Sequence, residues 1–337
     1  MTPPPRQRAT VHDVVARAGV SRGTVSRFLN GTGYVSADAA ARIEAAIEAV
    51  GYVRNNAARN LVTQRSMAVG FVVHEPHQLF LGDPNIGSIM LGTNDALADA
   101  GYQLVVLVVA SDSDAERVST YLRGGFVDGV VLVSARTHDA VAEAVEKIAL
   151  PAAVIGQPEG GGSLPHVAID NHAAAREITE RLVATGRRRV GMLASALDRD
   201  SGADRLAGFT EALGERFDES LVVTDPLYSY TSGVRGMAEL LRRDPSVDGV
   251  FAASDAVAAG AIETLRAHGR RIPEDVGIVG FDDSDWAQRC TPKLSTVAQP
   301  AHDIGHAAAR LVLDQLRSPE AAANVTLPTT VVWRASA

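Results

Sequence analysis

The chain has 337 residues, of which 46% are hydrophobic and 21% are charged. Its length predicts two or three domains, and its composition predicts folded domains rather than a disordered chain. The longest uninterrupted apolar run, Leu104 to Ala110, is much shorter than the roughly 20 residues that span a bilayer, so we expect no membrane partner. The basic, proline-rich amino-terminal segment and the single cysteine, Cys290, do not indicate secretion, and we expect a cytoplasmic protein.

The net charge of −8 is unevenly distributed along the chain. Residues 1–65 hold nine basic and four acidic residues, whereas the remaining residues hold 23 basic and 36 acidic ones. Such asymmetry is typical of a basic nucleic-acid-binding head joined to an acidic body. Because charge alone does not distinguish this arrangement from chance, the helical pattern of the basic segment matters more.

Three short helices are predicted in the first 50 residues. Thr10 and Asp13 have the spacing of a capping box at the start of the first helix, and Gly19 ends it. The second helix is predicted over Ser21–Leu29, with Ser21 as its cap, and the third begins after Ser36. Two short helices joined by a tight turn indicate a helix-turn-helix, whose second helix enters the major groove of DNA.

From Ser66 onward, apolar runs of strand length alternate with helical patterns. The predicted strands are 67–73, 104–109, 129–133, 152–155, 190–193, 221–223, 249–253 and 276–281. The predicted helices among them are 173–185, 203–213, 232–243 and 256–268. This alternation is typical of parallel sheets covered on both faces, and about 270 residues exceed one comfortable core. We therefore predict an α/β body of two doubly wound parallel-sheet lobes with a cleft between them.

The segment TVHDVVARAGVSRGTVSRFLN, Thr10 to Asn30, resembles the amino-terminal signature of the LacI/GalR family of ligand-responsive bacterial transcription regulators. It keeps nearly all of that signature, with Val15 in place of an alanine. The resemblance continues through Val35–Ser36 and Gly51–Tyr52 and along the body to the last strand. It implies a small all-α helix-turn-helix head over residues 1–53, a hinge helix or linker over 54–66, and a two-lobed, periplasmic-binding-protein-like effector and dimerisation body over 67–337.

The resemblance also implies which head residues meet DNA. The positions that contact phosphates in the family are occupied here by Thr10, Ser21, Thr24, Ser26, Asn30 and Ser36. The base-reading positions are occupied by Arg22, Gly23 and Arg27, although Gly23 has no side chain with which to read a base. Since arginine can donate two hydrogen bonds to a guanine, we expect Arg22 and Arg27 to read a guanine-containing pseudopalindrome.

The hinge adds a second predicted contact with DNA. Leu61 stands where the family inserts a leucine into the minor groove, and Asn55 and Ala58 match neighbouring contacts. An apolar wedge costs least at a flexible pyrimidine–purine step, so we expect such a step at the operator centre. Arg54 replaces a proline that many relatives carry, which makes the entry into the hinge less rigid.

A polar effector site is expected between the lobes. Arg205 aligns with the family's ligand-anchoring arginine, and Asp282 follows a predicted strand, where open α/β sheets bind ligands. An arginine and an acid that converge in a cleft can hold the vicinal hydroxyls of a sugar. The further candidates are polar or aromatic side chains, namely Phe80, Gln157, Asp170, Tyr228, Ser254, Trp286 and Gln299. We expect the effector to be a neutral mono- or oligosaccharide. For Trp286, the alternative to stacking on the sugar is a role as a core or interface residue.

Other classes of function fit the sequence less well. His302 and His306 are spaced as in a zinc-binding helix, but aspartate replaces the required glutamate and Gly305 interrupts the pattern, so we expect no metal or other cofactor. Neither a nucleophile–base set nor a secretion signal is evident, which argues against an enzyme and a transport-type binding protein. We therefore predict a repressor of carbohydrate-utilisation genes. It is expected to be a homodimer, because a single head buries too little surface to hold a specific site and two heads read two half-sites. No heptad tail follows Val331–Trp333, so we expect no coiled-coil tetramer. Whether the sugar is an inducer or a corepressor is left open.

Overall fold

The computed structural model describes residues 9–52, 65–136, 138–157, 164–318 and 323–337. The chain divides into two compact units, a head that ends at Arg65 and a body that begins at Ser66. Within the part of the chain that is described, no helix is both long and apolar enough to cross a membrane.

The head is a bundle of three helices around a small core. The helices are α1 (Val11–Ala18), α2 (Arg22–Asn30) and α3 (Ala37–Val50). Val14, Val25 and Ile43 contribute one fully buried side chain from each helix, and Tyr52 packs against them. Gly19 ends α1 with a φ of 64°, a left-handed conformation that glycine adopts without steric cost. The predicted helix-turn-helix is thus confirmed.

The body alternates strands and helices along the chain, as predicted. Its strands are β1 (Ala68–Val73), β2 (Gln103–Val108), β3 (Gly129–Val133), β4 (Ala152–Ile155), β5 (His166–Ile169), β6 (Val190–Ser195), β7 (Val222–Asp225), β8 (Gly249–Ala252), β9 (Gly277–Val279), β10 (Thr296–Ala298), β11 (Val325–Leu327) and β12 (Thr330–Val332). Its α-helices are α4 (His77–Gly82), α5 (Pro84–Asp99), α6 (Asp112–Arg123), α7 (Ala140–Lys147), α8 (Asn171–Ala184), α9 (Asp200–Leu213), α10 (Tyr230–Arg243), α11 (Asp255–Ala267), α12 (Asp285–Arg289) and α13 (Ala301–Arg317). Two short 3-10 turns cover residues 214–216 and 219–221.

These elements form two lobes, each built on a parallel sheet. Lobe 1 contains the sheet β11-β5-β4-β3-β1-β2, and lobe 2 contains the sheet β7-β6-β8-β9. Within the described residues, the chain passes between the lobes at three places: after β5, after β10 and after β11. The antiparallel pair β10–β12 lies at these crossings. The prediction of two doubly wound parallel lobes is confirmed.

Some strands of the body differ from the sequence prediction, and β10 and β11 were not among the predicted strands. The strand predicted over 276–281 is shorter and covers Gly277–Val279, after which Gly280 N and Asp282 N donate to the carbonyl oxygens of Ser295 and Val297 beside β10. The strand His166–Ile169 escaped prediction, since its four residues include one polar side chain and form only a short apolar run. This strand matters, because it ends at the crossing that leads to α8 and to the cleft.

Candidate DNA-binding and effector sites

Helix α2 carries the predicted base-reading residues on its exposed face. Arg22 and Arg27 are exposed, whereas Val25 between them is fully buried in the head core. The helix starts at Ser21, whose Oγ accepts a hydrogen bond from Thr24 N at 3.1 Å. The amino end of a helix attracts phosphates, and exposed guanidinium groups can reach guanine edges. The sequence and the local fold therefore present the same surface for DNA.

The remaining predicted phosphate contacts in the head are exposed and stabilise helix ends. Thr10 N and Oγ1 donate to Asp13 Oδ2 at 2.7 and 2.8 Å, which confirms the capping interaction and lowers the pKa of Asp13. Ser36 Oγ accepts a hydrogen bond from a backbone amide in the first turn of α3 at 3.3 Å. Asn30 Nδ2 donates to Ser26 Oγ at 3.2 Å, so these two side chains meet on α2. Their contact with DNA stays a prediction.

Two further observations concern the DNA-binding part of the chain. Gly23 lies exposed on α2 and offers only backbone there. The predicted minor-groove residues Asn55, Ala58 and Leu61 lie outside the described residues. Sequence reasoning overlooked Tyr34, whose side chain is 86% exposed in the loop between α2 and α3. An aromatic residue inside a polar, glycine-containing loop is the signal that identifies it as a candidate contact.

A cavity that is open to solvent lies between the two lobes. Four of the predicted effector residues line it, namely Arg205, Tyr228, Asp282 and Gln299. They come from α9, from the loop before α10, and from the loops that follow β9 and β10. The carboxyl ends of parallel strands meet at one edge of a sheet, which is why residues so distant in sequence converge here.

Arg205 is held in place by contacts on several sides. It is only 5% exposed, and its Nε donates to Asn171 Oδ1 at 3.0 Å while its Nη1 donates to the carbonyl oxygen of Ala253 at 2.6 Å. Its guanidinium carbon lies 3.7 Å from the centre of the Phe281 ring and 5.5 Å from that of Tyr228. A planar cation fixed in this way has little conformational entropy left to lose when a ligand binds.

Asp282 faces Arg205 across the cavity. Its Oδ1 lies 3.8 Å from Arg205 Nη1, beyond hydrogen-bond distance, and accepts a hydrogen bond from Gln299 Nε2 at 2.7 Å. Burial raises the pKa of Asp282 well above its usual value, although Arg205 opposes this effect. The gap between the cation and the carboxyl group suits a hydroxyl group that donates to one and accepts from the other.

Three predicted polar residues lie outside this cavity. Asp170 caps α8, because its Oδ1 accepts a hydrogen bond from Ala173 N at 2.8 Å. Ser254 caps α11 in the same manner and is 3% exposed. Gln157 comes directly after Gly156, which lines the cavity, but is itself exposed outside it. Its backbone N–H donates to an oxygen of Asp200. The side chains of Asp170 and Ser254 are engaged with the backbone instead of the cavity.

Two predicted aromatic residues also lie elsewhere. Phe80 packs against the main core of the body from α4. Trp286 stacks on Tyr230 with ring centres 5.7 Å apart, in a separate cleft that Cys290 also lines. Of the aromatic residues named from the sequence, the structure therefore places only Tyr228 at the cavity.

The cavity also contains charged residues outside the predicted set. Arg199 and Asp200 follow β6, Glu75 follows β1, and Asp83 caps α5. Burial raises the pKa of Asp83 to about 6. In the sequence, these residues share a position shortly after a strand or at the start of a helix. Such positions are numerous in an α/β protein, and only the fold shows which of them face one another.

The two histidines that were considered as zinc ligands lie on the surface of α13. His302 and His306 are both exposed, and His302 Nε2 lies 3.1 Å from Asp95 Oδ2 on α5. No group of three or more ligating side chains that suits a metal ion occurs among the residues that the structure describes.

Comparison with known proteins identifies the family. Residues 10–55 match the bacterial regulatory proteins of the lacI family, and residues 179–337 match the periplasmic binding protein-like domain. The HTH-type transcriptional regulator CelR of Thermobifida fusca is 42% identical over 316 residues, which cover 92% of this chain and 93% of CelR.

Solved structures agree with this assignment. A complex of the transcriptional regulator CelR with cellobiose has a TM-score of 0.78 at 38% identity and covers 98% of this chain and 100% of the other. A lac repressor dimer bound to operator and an anti-inducer shares the fold, with a TM-score of 0.86 at 23% identity over 98% of this chain and 99% of the other. This chain therefore belongs to the LacI family of bacterial regulatory proteins and is a DNA-binding transcription regulator rather than an enzyme.

Proposed function

We propose that this regulator is a homodimeric repressor of carbohydrate-utilisation genes, which binds a pseudopalindromic operator and a neutral saccharide. Because its target is DNA, we place it in the cytoplasm. The observation that carries the proposal is the buried Arg205–Asp282 pair in the cavity between the lobes, in a chain that has a helix-turn-helix head. Membership of a family of regulators supports the DNA target, and the chemistry of the cavity supports the kind of effector.

The chemistry of the cavity suits a neutral saccharide. The guanidinium of Arg205 offers donors, the carboxyl groups of Asp83 and Asp282 offer acceptors, and the ring of Tyr228 offers a flat face. The CelR structure contains cellobiose, which makes cellobiose the first effector to test.

The operator requires two heads. One helix-turn-helix contacts a single half-site, and a two-fold dimer places a second recognition helix about one DNA turn away. We propose that ligand binding closes the lobes, separates the paired hinges over residues 54–66, and withdraws Leu61 from the minor groove. A coupling free energy of about 1–3 kcal/mol suffices for a clear change in operator occupancy. The sign of that change decides between an inducer and a corepressor.

The proposal is tested with the full-length protein and an operator selected from a pool of random duplex DNA. Fluorescence anisotropy then measures operator affinity with and without cellobiose, and calorimetry measures cellobiose affinity. We expect cellobiose to change operator affinity at least about fivefold, the lower end of typical allosteric coupling. Arg205→Lys keeps the charge but not the planar fork of donors, so it should weaken cellobiose binding about 10- to 100-fold and leave operator selection unchanged.

The matched control for this variant is Arg176→Lys. Arg176 lies on α8 of the same lobe and pairs with Glu211 on the surface at 2.9 Å, outside the cavity. Its substitution should leave both affinities as they are in the unmodified chain. If neither cellobiose nor other neutral sugars bind, or if bound sugar leaves operator affinity unchanged, the proposed effector class or the proposed coupling is wrong.

A further inference from the structure

The loop between α2 and α3 contains two glycines, Gly31 and Gly33, and both have a left-handed backbone, with φ of 62° and 76°. Gly31 directly follows α2 and ends it. Its N–H donates to the carbonyl oxygen of Phe28 at 3.3 Å, and the N–H of Thr32 donates to that of Arg27 at 3.1 Å. These two bonds form a Schellman motif, in which the residue after the helix adopts the left-handed conformation. The motif explains Gly31, but it does not require a second glycine two residues later.

Gly33 lies against the side chain of Arg27. A Cβ atom at position 33 would lie 3.4 Å from Arg27 Cδ, whereas a Cβ atom at position 31 would have nothing within 4 Å. The aliphatic stem of Arg27 therefore lies on the loop at the point where Gly33 lacks a side chain. Because the Schellman motif ties the same loop to the carbonyl oxygen of Arg27, the backbone and the side chain of this arginine both contact the loop.

The guanidinium group of Arg27 has a further contact within α2. Arg27 Nη2 donates a long hydrogen bond to Thr24 Oγ1 at 3.5 Å, and Thr24 Oγ1 lies 2.8 Å from Ser21 Oγ. Ser21 Oγ also accepts a hydrogen bond from Thr24 N, so Thr24 is fixed at the start of the helix. Arg27 is exposed, but its stem contacts the loop and its guanidinium contacts the helix. Contacts that are already present in the free protein reduce the side-chain entropy that binding costs.

We propose that Gly33 is a positioning residue for base readout, because its missing side chain lets Arg27 lie on the loop and enter the major groove in one orientation. The inference rests on the proposed operator binding by α2, and it names a residue outside the helix that sets the selectivity of the helix. A bidentate contact with guanine needs the planar guanidinium aligned with the edge of the base. A larger side chain at position 33 would occupy the space of the Arg27 stem, and the guanidinium would lose that alignment.

The test uses the full-length protein and the operator selected from random duplex DNA. Arg27→Ala first identifies the base pair that Arg27 reads, as the one whose replacement no longer changes operator affinity. Gly33→Asn then introduces a side chain that tolerates a left-handed backbone. Gly31→Asn is the matched control, because it makes the same substitution at a similar φ where a Cβ has nothing within 4 Å. Fluorescence anisotropy measures affinity for the operator and for operators with single base-pair replacements.

We expect Gly33→Asn to lower the discrimination at the Arg27 base pair at least about fivefold, since a good bidentate contact supplies about 5- to 150-fold. Discrimination at the other base pairs should stay unchanged in Gly33→Asn, and discrimination at every base pair should stay unchanged in Gly31→Asn. The double variant Arg27→Ala/Gly33→Asn should discriminate as Arg27→Ala does, because Gly33 acts through Arg27. An equal loss in Gly33→Asn and Gly31→Asn, or a loss spread over all base pairs, overturns the positioning role.

A measurement on the unmodified protein keeps the inference testable if Gly33→Asn unfolds the head. NMR relaxation reports how ordered the Nε–H group of each arginine is on the ps–ns timescale. In the free protein, Arg27 Nε should be more ordered than Arg22 Nε, because Arg22 is exposed at the opposite end of α2 from the loop. Equal order of the two groups overturns the inference. If Arg27→Ala instead leaves selectivity intact at every base pair, base readout by Arg27 itself is refuted, and that outcome is distinct from a failure of Gly33 alone.

Discussion

Asp255 provides a test of how a buried carboxyl group makes the stability of the body depend on pH. Its side chain is fully buried at the start of α11, where its Oδ1 accepts a hydrogen bond from Thr296 Oγ1 at 2.6 Å and its Oδ2 accepts one from Ser284 N at 2.7 Å. Burial raises its pKa to about 7, although these hydrogen bonds act in the opposite direction. The folded protein therefore takes up a proton at Asp255 at a pH where the unfolded chain does not.

The sign of the effect on stability follows from proton linkage. Between about pH 4 and pH 7 the folded state binds more protons at Asp255 than the unfolded state, so its contribution to the free energy of unfolding falls as pH rises. About two pH units of this range lie between pH 5 and pH 8. The contribution of Asp255 to the free energy of unfolding changes by about 1.36 kcal/mol for each of them. We therefore predict that the stability of the unmodified chain relative to Asp255→Asn rises by about 2–3 kcal/mol when the pH is lowered from 8 to 5.

The measurement is urea unfolding of both proteins, followed by circular dichroism, at several values between pH 8 and pH 5. Asparagine cannot titrate. If the substitution also weakens the hydrogen bond from Ser284 N, that loss is the same at every pH and does not affect how the stability difference between the two proteins varies with pH. Asp285→Asn is the control, because Asp285 is exposed and pairs with Arg289 on the surface. A stability difference between the unmodified chain and Asp255→Asn that does not vary with pH would refute the reasoning.

Three further predictions concern packing and DNA binding. Gly92→Ala should destabilise the body by several kcal/mol in urea unfolding, because the new Cβ would lie 1.9 Å from a backbone oxygen of α13. The control is Gly87→Ala, whose Cβ would have no atom within 4 Å and which should be neutral or slightly stabilising. Val25→Ala should cost about 1–3 kcal/mol in the small head core, which gel shifts at rising temperature would show as early loss of operator binding with saccharide affinity retained. Arg27→Ala should weaken operator binding by about 1–3 kcal/mol and relax selectivity at one base position; equal losses on operator and random DNA would instead indicate a phosphate contact.

Local sequence patterns account for much of the observed fold. Ser21, Gly19 and Ser36 occupy the predicted ends of helices, because caps depend on the side chains and backbone angles of a few neighbouring residues. The apolar runs located β3 and β4 at their observed bounds, since strands buried on both faces are almost continuously apolar. Short or partly polar strands such as β5 carry too weak a pattern to be recognised.

The effector cavity was only partly predictable for a related reason. Arg205 was predicted through resemblance and Asp282 through its position after a strand, whereas Tyr228 and Gln299 were named as an aromatic and a polar candidate. All four line the cavity. Trp286 met the same criteria but stacks on another aromatic ring outside the cavity. A position after a strand shows that a side chain lies near a sheet edge, but it does not show the direction in which the side chain points.

The helix-turn-helix, the alternation of strands and helices, and the family could all be predicted from the amino-acid sequence, because they depend on neighbouring residues and on signatures within one segment. The contact of Glu75 with Arg199, 124 positions away in the chain, and their place in one cavity with Arg205 became visible only in the folded structure. That pairing depends on how two separately formed sheets face each other. Their relative position is fixed by packing between distant segments, on which local propensities carry no information.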